Sequence, residues 1–187
     1  MDYIPQTGDV FLVDSSKIGP KIVKFLQTAP TLWQYIWRAI RGTQQTVRYF
    51  HAGMVLNSTQ VIEQQWKVQY GQVSKFLGKR VIVYRFKHIT PSIQNALSIA
   101  ALEDLGKAYD IPLVIGRTIT WLTGIMWFTD FLGRITKEEE WCVTRLAEWW
   151  WPWCKFGIGD HSEITTKVID EYYSKHSDEW EVVYQNG

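Results

Sequence analysis

The stretch Tyr49-Phe50-His51-Ala52-Gly53-Met54-Val55-Leu56-Asn57-Ser58-Thr59-Gln60-Val61-Ile62-Glu63 decides how this chain is read. Tyr49 to Leu56 has the aromatic and apolar content of a strand, Asn57-Ser58-Thr59 is turn chemistry, and Val61 to Trp66 reads as the return strand. The predicted unit is a β-hairpin. With its turn centred on Asn57, residue 51 lies directly across from residue 63, and the two-residue period of a strand puts both side chains on one face. Directly opposed Cβ atoms are roughly 4.5–5.5 Å apart, so His51 and Glu63 are expected to touch. A carboxylate beside an imidazole selects its tautomer and raises its basicity.

Working outward, Asp9 to Val13 reads as a buried strand after a Thr7-Gly8 turn, and Arg80 to Phe86 as another strand rich in β-branched and aromatic residues. Thr90-Pro91 opens a helix with Pro at its first position. Its expected buried stripe is Ile93, Ala96, Leu97, Ala100, Ala101 and Leu105, and Gly106 ends it. Gly19 to Gly42 is predicted mostly helical, with a break at Ala29-Pro30. Ile111 to Ile135 is apolar and aromatic, but Arg117 and Asp130 interrupt it. It falls short of a transmembrane span and reads as an inserted helical lid or flap. A further helix starts near Cys142, with a stripe of Val143, Leu146, Ala147 and Trp150, and stops at Pro152. Asp160 with Glu163 resembles a capping pair for a last helix to about Lys175, and Glu179 to Tyr184 reads as a closing strand. The expected class is α+β, an antiparallel sheet packed with helices, in a single domain over 1–187 with helical insertions near 29–46 and 111–137.

Composition narrows the function. The chain has 187 residues, 46% of them hydrophobic, with a formal net charge of +1. A balanced charge with no basic run gives no argument for a nucleic-acid partner. Two Cys are too few for a disulfide scaffold, and Met1 to Val10 has no apolar core of a secretory signal. A cytoplasmic, reducing setting is therefore expected. The 11 Trp are unusual, and many fall in Trp121 to Trp127 and Trp141 to Trp153. Such density suits a deep apolar pocket, a partner surface or peripheral contact with a membrane.

Cys142, expected in a helix's first turn after Glu138-Glu139-Glu140, would feel the positive end of the helix dipole, which lowers a thiol pKa. A Cys there, a His on a strand and an acid orienting the His make a complete nucleophilic set. A lone Cys is more often a small buried hydrophobe, so spacing alone does not single out this pair. The other candidates have plainer readings. Cys154 is a packed or half-exposed thiol, His88 and His176 are surface residues, and Asp9 caps a turn. A metal site from Cys142, Cys154 and His161 lacks a recognised ligand spacing. The Trp149-Trp150-Trp151-Pro152-Trp153 run is either core or a functional apolar surface.

The sequence resembles the permuted branch of the NlpC/P60 superfamily, with YiiX/YebB-like proteins and, more distantly, lecithin–retinol acyltransferase-like enzymes. Thr7-Gly8-Asp9-Val10-Phe11-Leu12-Val13 looks like the family's opening strand. Tyr49-Phe50-His51-Ala52-Gly53-Met54-Val55 looks like its His-bearing strand, and Val61-Ile62-Glu63 looks like the strand of the third polar residue. Gly106-Lys107-Ala108-Tyr109-Asp110 and Trp141-Cys142-Val143-Thr144-Arg145-Leu146 fall where the family has its Gly-x-x-Tyr-Asp and Cys segments. The order His, acid, Cys matches the permuted arrangement. Phe50, in place of a small residue, and Val143-Thr144-Arg145, in place of Ser-Glu, depart from the pattern.

The resemblance implies a circularly permuted papain-like fold and a cysteine hydrolase with Cys142 as nucleophile, His51 as base and Glu63 as orienting acid. Tyr109, Asp110, Trp141 and Phe50 are its substrate-pocket candidates, and the chemistry needs no metal or organic cofactor. The implied substrate is an amide or peptide bond, such as a peptidoglycan peptide. The alternatives are a lipid ester hydrolase or acyltransferase at a membrane surface, and a catalytically silent binding module on the same fold.

Overall fold

The computed structural model describes residues 3–14, 49, 51–64, 67–107, 143–154 and 166–187. Backbone proximity divides the chain into two units, and all of the described residues belong to the unit formed by Met1–Ser15, Arg48–Tyr109 and Trp141–Gly187. The expected helical insertions, the Asp160/Glu163 cap, Phe50, Tyr109, Asp110, Trp141 and Cys142 lie outside the described residues.

The frame is an antiparallel six-stranded sheet in the order β4-β3-β2-β1-β5-β6. Its strands are β1 (Val10–Val13), β2 (His51–Val55), β3 (Gln60–Gln64), β4 (Val68–Gln72), β5 (Val81–Phe86) and β6 (Trp180–Asn186). Four helices accompany it among the described residues: α1 (Ser74–Leu77), α2 (Pro91–Glu103), α3 (Val143–Trp150) and α4 (Thr166–Lys175). The architecture is α+β, as expected. None of these helices is long and apolar enough to cross a membrane.

The pleat sorts the residues onto two faces. One face presents Val10, Leu12, Met54, Ile62, Ile82, Tyr84 and Phe86, which form the main core with Leu97 and Ala101 of α2, Leu146, Ala147 and Trp150 of α3, and Ile169 and Tyr173 of α4. The expected α2 stripe proves narrower. Leu97 and Ala101 are buried, Ile93 and Ala100 are half-buried, and Ala96 and Leu105 are exposed. Short residues at 96 and 100 and the turn at Asp104 leave only the 97/101 seam against the sheet. The opposite face presents Phe11, Val13, His51, Gly53, Val55, Val61 and Glu63, as the cross-strand pairs Phe11↔Gly53, Val13↔His51 and Gly53↔Glu63 require. Here α1 supplies the cover, with Phe76 buried.

Two elements escape the sequence reading. β4 (Val-Gln-Tyr-Gly-Gln) is an edge strand whose polar residues and Gly mask the alternation. α1 is too short to show a helical period. At the start of β4, Gly106 N–H donates to the Val68 carbonyl at 2.9 Å and Val68 N–H to that of Lys107 at 2.9 Å. This pairing becomes possible because Gly106, at φ +88°, turns the chain out of α2.

Asp9 does more than cap a turn. Fully buried, it accepts from Arg85 Nε (2.7 Å) and Nη2 (2.7 Å), from the Tyr3 hydroxyl (2.7 Å) and from the Gln6 N–H (2.9 Å). A bidentate guanidinium pair fastens β1 to β5. Asp9→Ala removes the carboxylate from a half-buried Arg85, which keeps the Ile4 carbonyl at 2.9 Å, and is expected to lower unfolding free energy by about 3 kcal/mol, read by urea denaturation.

Candidate active site

The β2–β3 turn sets the site's geometry. Asn57 Oδ1 accepts from the N–H groups of Thr59 (3.0 Å) and Gln60 (2.9 Å), so Asn57 opens the turn instead of centring it. Val55 therefore pairs with Val61, and Glu63 with Gly53. His51 and Glu63 are diagonal neighbours, not directly opposed ones, which corrects the expected register by one turn position. Equal parity survives the shift, and the two residues still share a face.

The contact itself forms. His51 Nε2 lies 2.9 Å from Glu63 Oε2. A diagonal pair has to span roughly 7–8 Å between its backbones, and Gly53, the residue paired with Glu63, lies between them with no side chain. A Cβ at Gly53 would press on the Phe11 ring and stand 2.5 Å from the Ile62 carbonyl oxygen. Gly71 on β4 makes room for the carboxylate itself, since a Cβ there would stand 2.8 Å from Glu63 Oε1. Gly71 thus flanks the Glu63 carboxylate, and Gly53 admits the Phe11 ring beside it on the same face.

Glu63 has a second partner, absent from the sequence reading: Lys75 Nζ at 3.0 Å from Oε1. Its side chain is fully buried, that of His51 is 11% exposed, and that of Lys75 is 42% exposed. The His51 ring lies 6.2 Å from that of Phe76 and 6.3 Å from that of Phe11. Lys75 and Lys79 each carry their ammonium 5.4 Å from the Phe76 ring centroid. The only trace of this cover in the sequence is the Lys75-Phe76-Leu77-Gly78 run after β4.

Burial alone would raise the Glu63 pKa. The hydrogen bonds and charges of His51 and Lys75 outweigh it, and the net shift is downward. Lys79 is lowered by its own burial and by the Lys75 charge, with Glu63 opposing. A carboxyl depressed on folding adds stability above its unfolded value, near 4.3, and that stability is lost as pH falls through the folded value. Glu63→Gln is therefore expected to flatten the loss of stability below about pH 5, measured as melting temperature against pH. Equal acid sensitivity in both proteins would contradict the pairing.

Of the two readings of Cys154 the packed one holds: it is buried, and burial followed by the Glu179 charge pushes its thiol pKa up. It is held as a neutral thiol. The Trp run divides. Trp150 is fully buried, while Trp149, Trp151 and Trp153 pack partly buried against the core, and Trp149 Nε1 donates to Asp104 Oδ2 at 2.8 Å. The α3 part of the expected stripe holds at Leu146, Ala147 and Trp150.

No protein-family model matches the chain, and no curated protein matches it. A solved structure does: the metalloprotein yiiX from Escherichia coli O157:H7, DUF1105, at 16% identity and a TM-score of 0.50, over 98% of this chain and 90% of that one. The fold is related to that of yiiX. At this identity the likeness speaks for the fold and leaves the site chemistry to be argued from the chain's own residues.

Proposed function

We propose that the chain is a cysteine hydrolase on a circularly permuted papain-like (NlpC/P60) fold, cleaving an amide or peptide bond through a thioester. The observation that carries this reading is the 2.9 Å His51–Glu63 hydrogen bond on a buried carboxylate. It anchors Nε2 as a donor and leaves Nδ1 as the ring nitrogen for proton transfer. The yiiX-like fold supports it, as does the course of α3. That helix packs on β2, and its last residue, Trp150, lies beside Phe86 and Trp180 at the end of the sheet away from His51. Cys142 immediately precedes the first residue of that helix, Val143, in sequence.

In this mechanism the Cys142 thiolate adds to the carbonyl carbon and the π electrons move to oxygen. The tetrahedral intermediate then expels the amine, which takes its proton from the His51 imidazolium. Water gives a proton back to His51 as it attacks the thioester, releasing the acid and the thiolate. Glu63 holds the ring throughout. Tyr109, Asp110, Trp141 and Phe50 are the proposed substrate contacts. A lipid ester as substrate is the alternative chemistry for the same residues.

The yiiX structure is that of a metalloprotein, which raises the question of a metal here. Among the described residues no group of three or more His, Cys, Asp or Glu is arranged to hold an ion. Glu63 has one oxygen against an ammonium and the other against His51. These residues do not fit a metal, and no step is routed through one.

One observation favours the silent binding module as a second reading: His51 and Glu63 occupy the sheet face opposite the one on which α3 packs. The deciding experiment is the pH dependence of Cys142 alkylation by iodoacetamide, followed by mass spectrometry in wild type and His51→Ala, with Cys154 as internal control. Reaction well below the ordinary thiol pKa of about 8.5, abolished in His51→Ala, supports the hydrolase. A Cys142 as slow as Cys154, or indifferent to His51, supports the binding module.

A further inference from the structure

Lys75 is the part of the site that neither the motif pattern nor the chemistry of the nucleophile calls for. Its ammonium and the His51 imidazole share one carboxylate, 3.0 Å from Oε1 and 2.9 Å from Oε2. The place is built for this bridge. Gly71, on the neighbouring strand, leaves open the space that a side chain would take beside Oε1. α1 brings Lys75 over Phe76, whose ring in turn packs near His51. A surface Lys that merely balanced charge would need none of these.

We propose that Lys75 is a positioning residue that sets the proton affinity of His51 through Glu63; this rests on the reading of His51 as the base. Two effects follow from the bridge. Lys75 fixes the rotamer of Glu63, so that Oε2 faces the ring. It also opposes the imidazolium, because a cation on the far side of the same carboxylate takes part of the negative charge that would otherwise stabilise protonated His51.

The charged groups facing His51 among the described residues are Glu63 from β3, Lys75 from α1 and Lys79 just after it; β1 contributes only Phe11 and Val13 on this face. Asp14, beyond Val13, is held by Arg80 at 3.6 Å. Among the described residues Lys79 is the cation placed to replace Lys75, so it has to be removed in the test as well.

The test is a proton NMR titration of the imidazoles in wild type, Lys75→Met, Lys75→Arg and the double variant Lys75→Met/Lys79→Met. Lys75 is 42% exposed, so these proteins should fold, and matched melting temperatures confirm it. The expected result is a His51 pKa raised by about half a unit or more in Lys75→Met or in the double variant. It should be unchanged in Lys75→Arg, with His88 and His176 still throughout. A His51 titration identical in wild type and the double variant overturns the proposal, as does a Lys75→Arg shift as large as that of Lys75→Met. The readout needs no turnover. An unreactive Cys142 would sink the hydrolase reading while the His51 shift still judged Lys75.

Discussion

His51→Ala is expected to lower amide or ester turnover by about 10³-fold or more, the usual range for losing a general acid–base. In the proposed mechanism the substitution removes the proton donor for the leaving group and the imidazolium that stabilises the thiolate together. It leaves Glu63 with Lys75 at 3.0 Å, so the buried carboxylate keeps a partner. A stability loss should therefore stay small beside the kinetic one, limited to the ring's contacts with Phe11 and Phe76. Cys142→Ala should give a comparable loss, and the double variant should be no slower than either single one, because the two residues act in one step. The check is kcat/KM on a panel of peptide amides and detergent-dispersed esters, with melting temperature recorded for each protein. Losses that multiply in the double variant would mean that the residues act separately. Activity surviving Cys142→Ala would remove the nucleophile from the mechanism.

Trp150→Ala is expected to be the most damaging single change to the fold. Trp150 is fully buried, with its ring centroid 4.8 Å from that of Trp180 and 5.7 Å from that of Phe86. It joins α3 to the two strands at that end of the sheet. Truncating a buried Trp costs about 3–5 kcal/mol, through lost transfer energy and the cavity left behind. At about 2–4 °C per kcal/mol for a domain of this size, the melting temperature should fall by roughly 10 °C. Trp150→Phe should cost much less. It keeps most of the packed ring and removes an indole N–H that has no hydrogen-bond partner among the described residues. Trp153→Ala, at a half-buried position, is the companion control and should fall between them. Equal losses for Trp150 and Trp153 would mean that the run acts as one surface and not as an anchor with flanks.

Much of the frame was legible in the sequence. Strand period and turn residues located β1, β2, β3, β5 and β6, and Thr90-Pro91 marked the start of α2, where Thr90 Oγ1 accepts from the Ile93 N–H at 3.3 Å. β4 and α1 were missed because their signals are local and weak, while their stability comes from the neighbours they cover. The Trp run could not be sorted in advance. Four indoles around one Pro have similar hydrophobicity, and only the direction in which α3 meets the sheet sends Trp150 inward and leaves Trp149, Trp151 and Trp153 at the margin.

At the candidate site the division is sharper. Sequence by itself determined that His51 and Glu63 share a face, because a strand's period is two and any even register preserves parity. Tertiary structure decided the rest. The Asn57 turn moved the pairing so that the two meet diagonally across Gly53, and α1 laid Lys75 against the second oxygen of Glu63. Parity is a local property of the backbone and can be read along the chain. Register and the docking of a four-residue helix depend on contacts between segments that the chain's order alone does not specify.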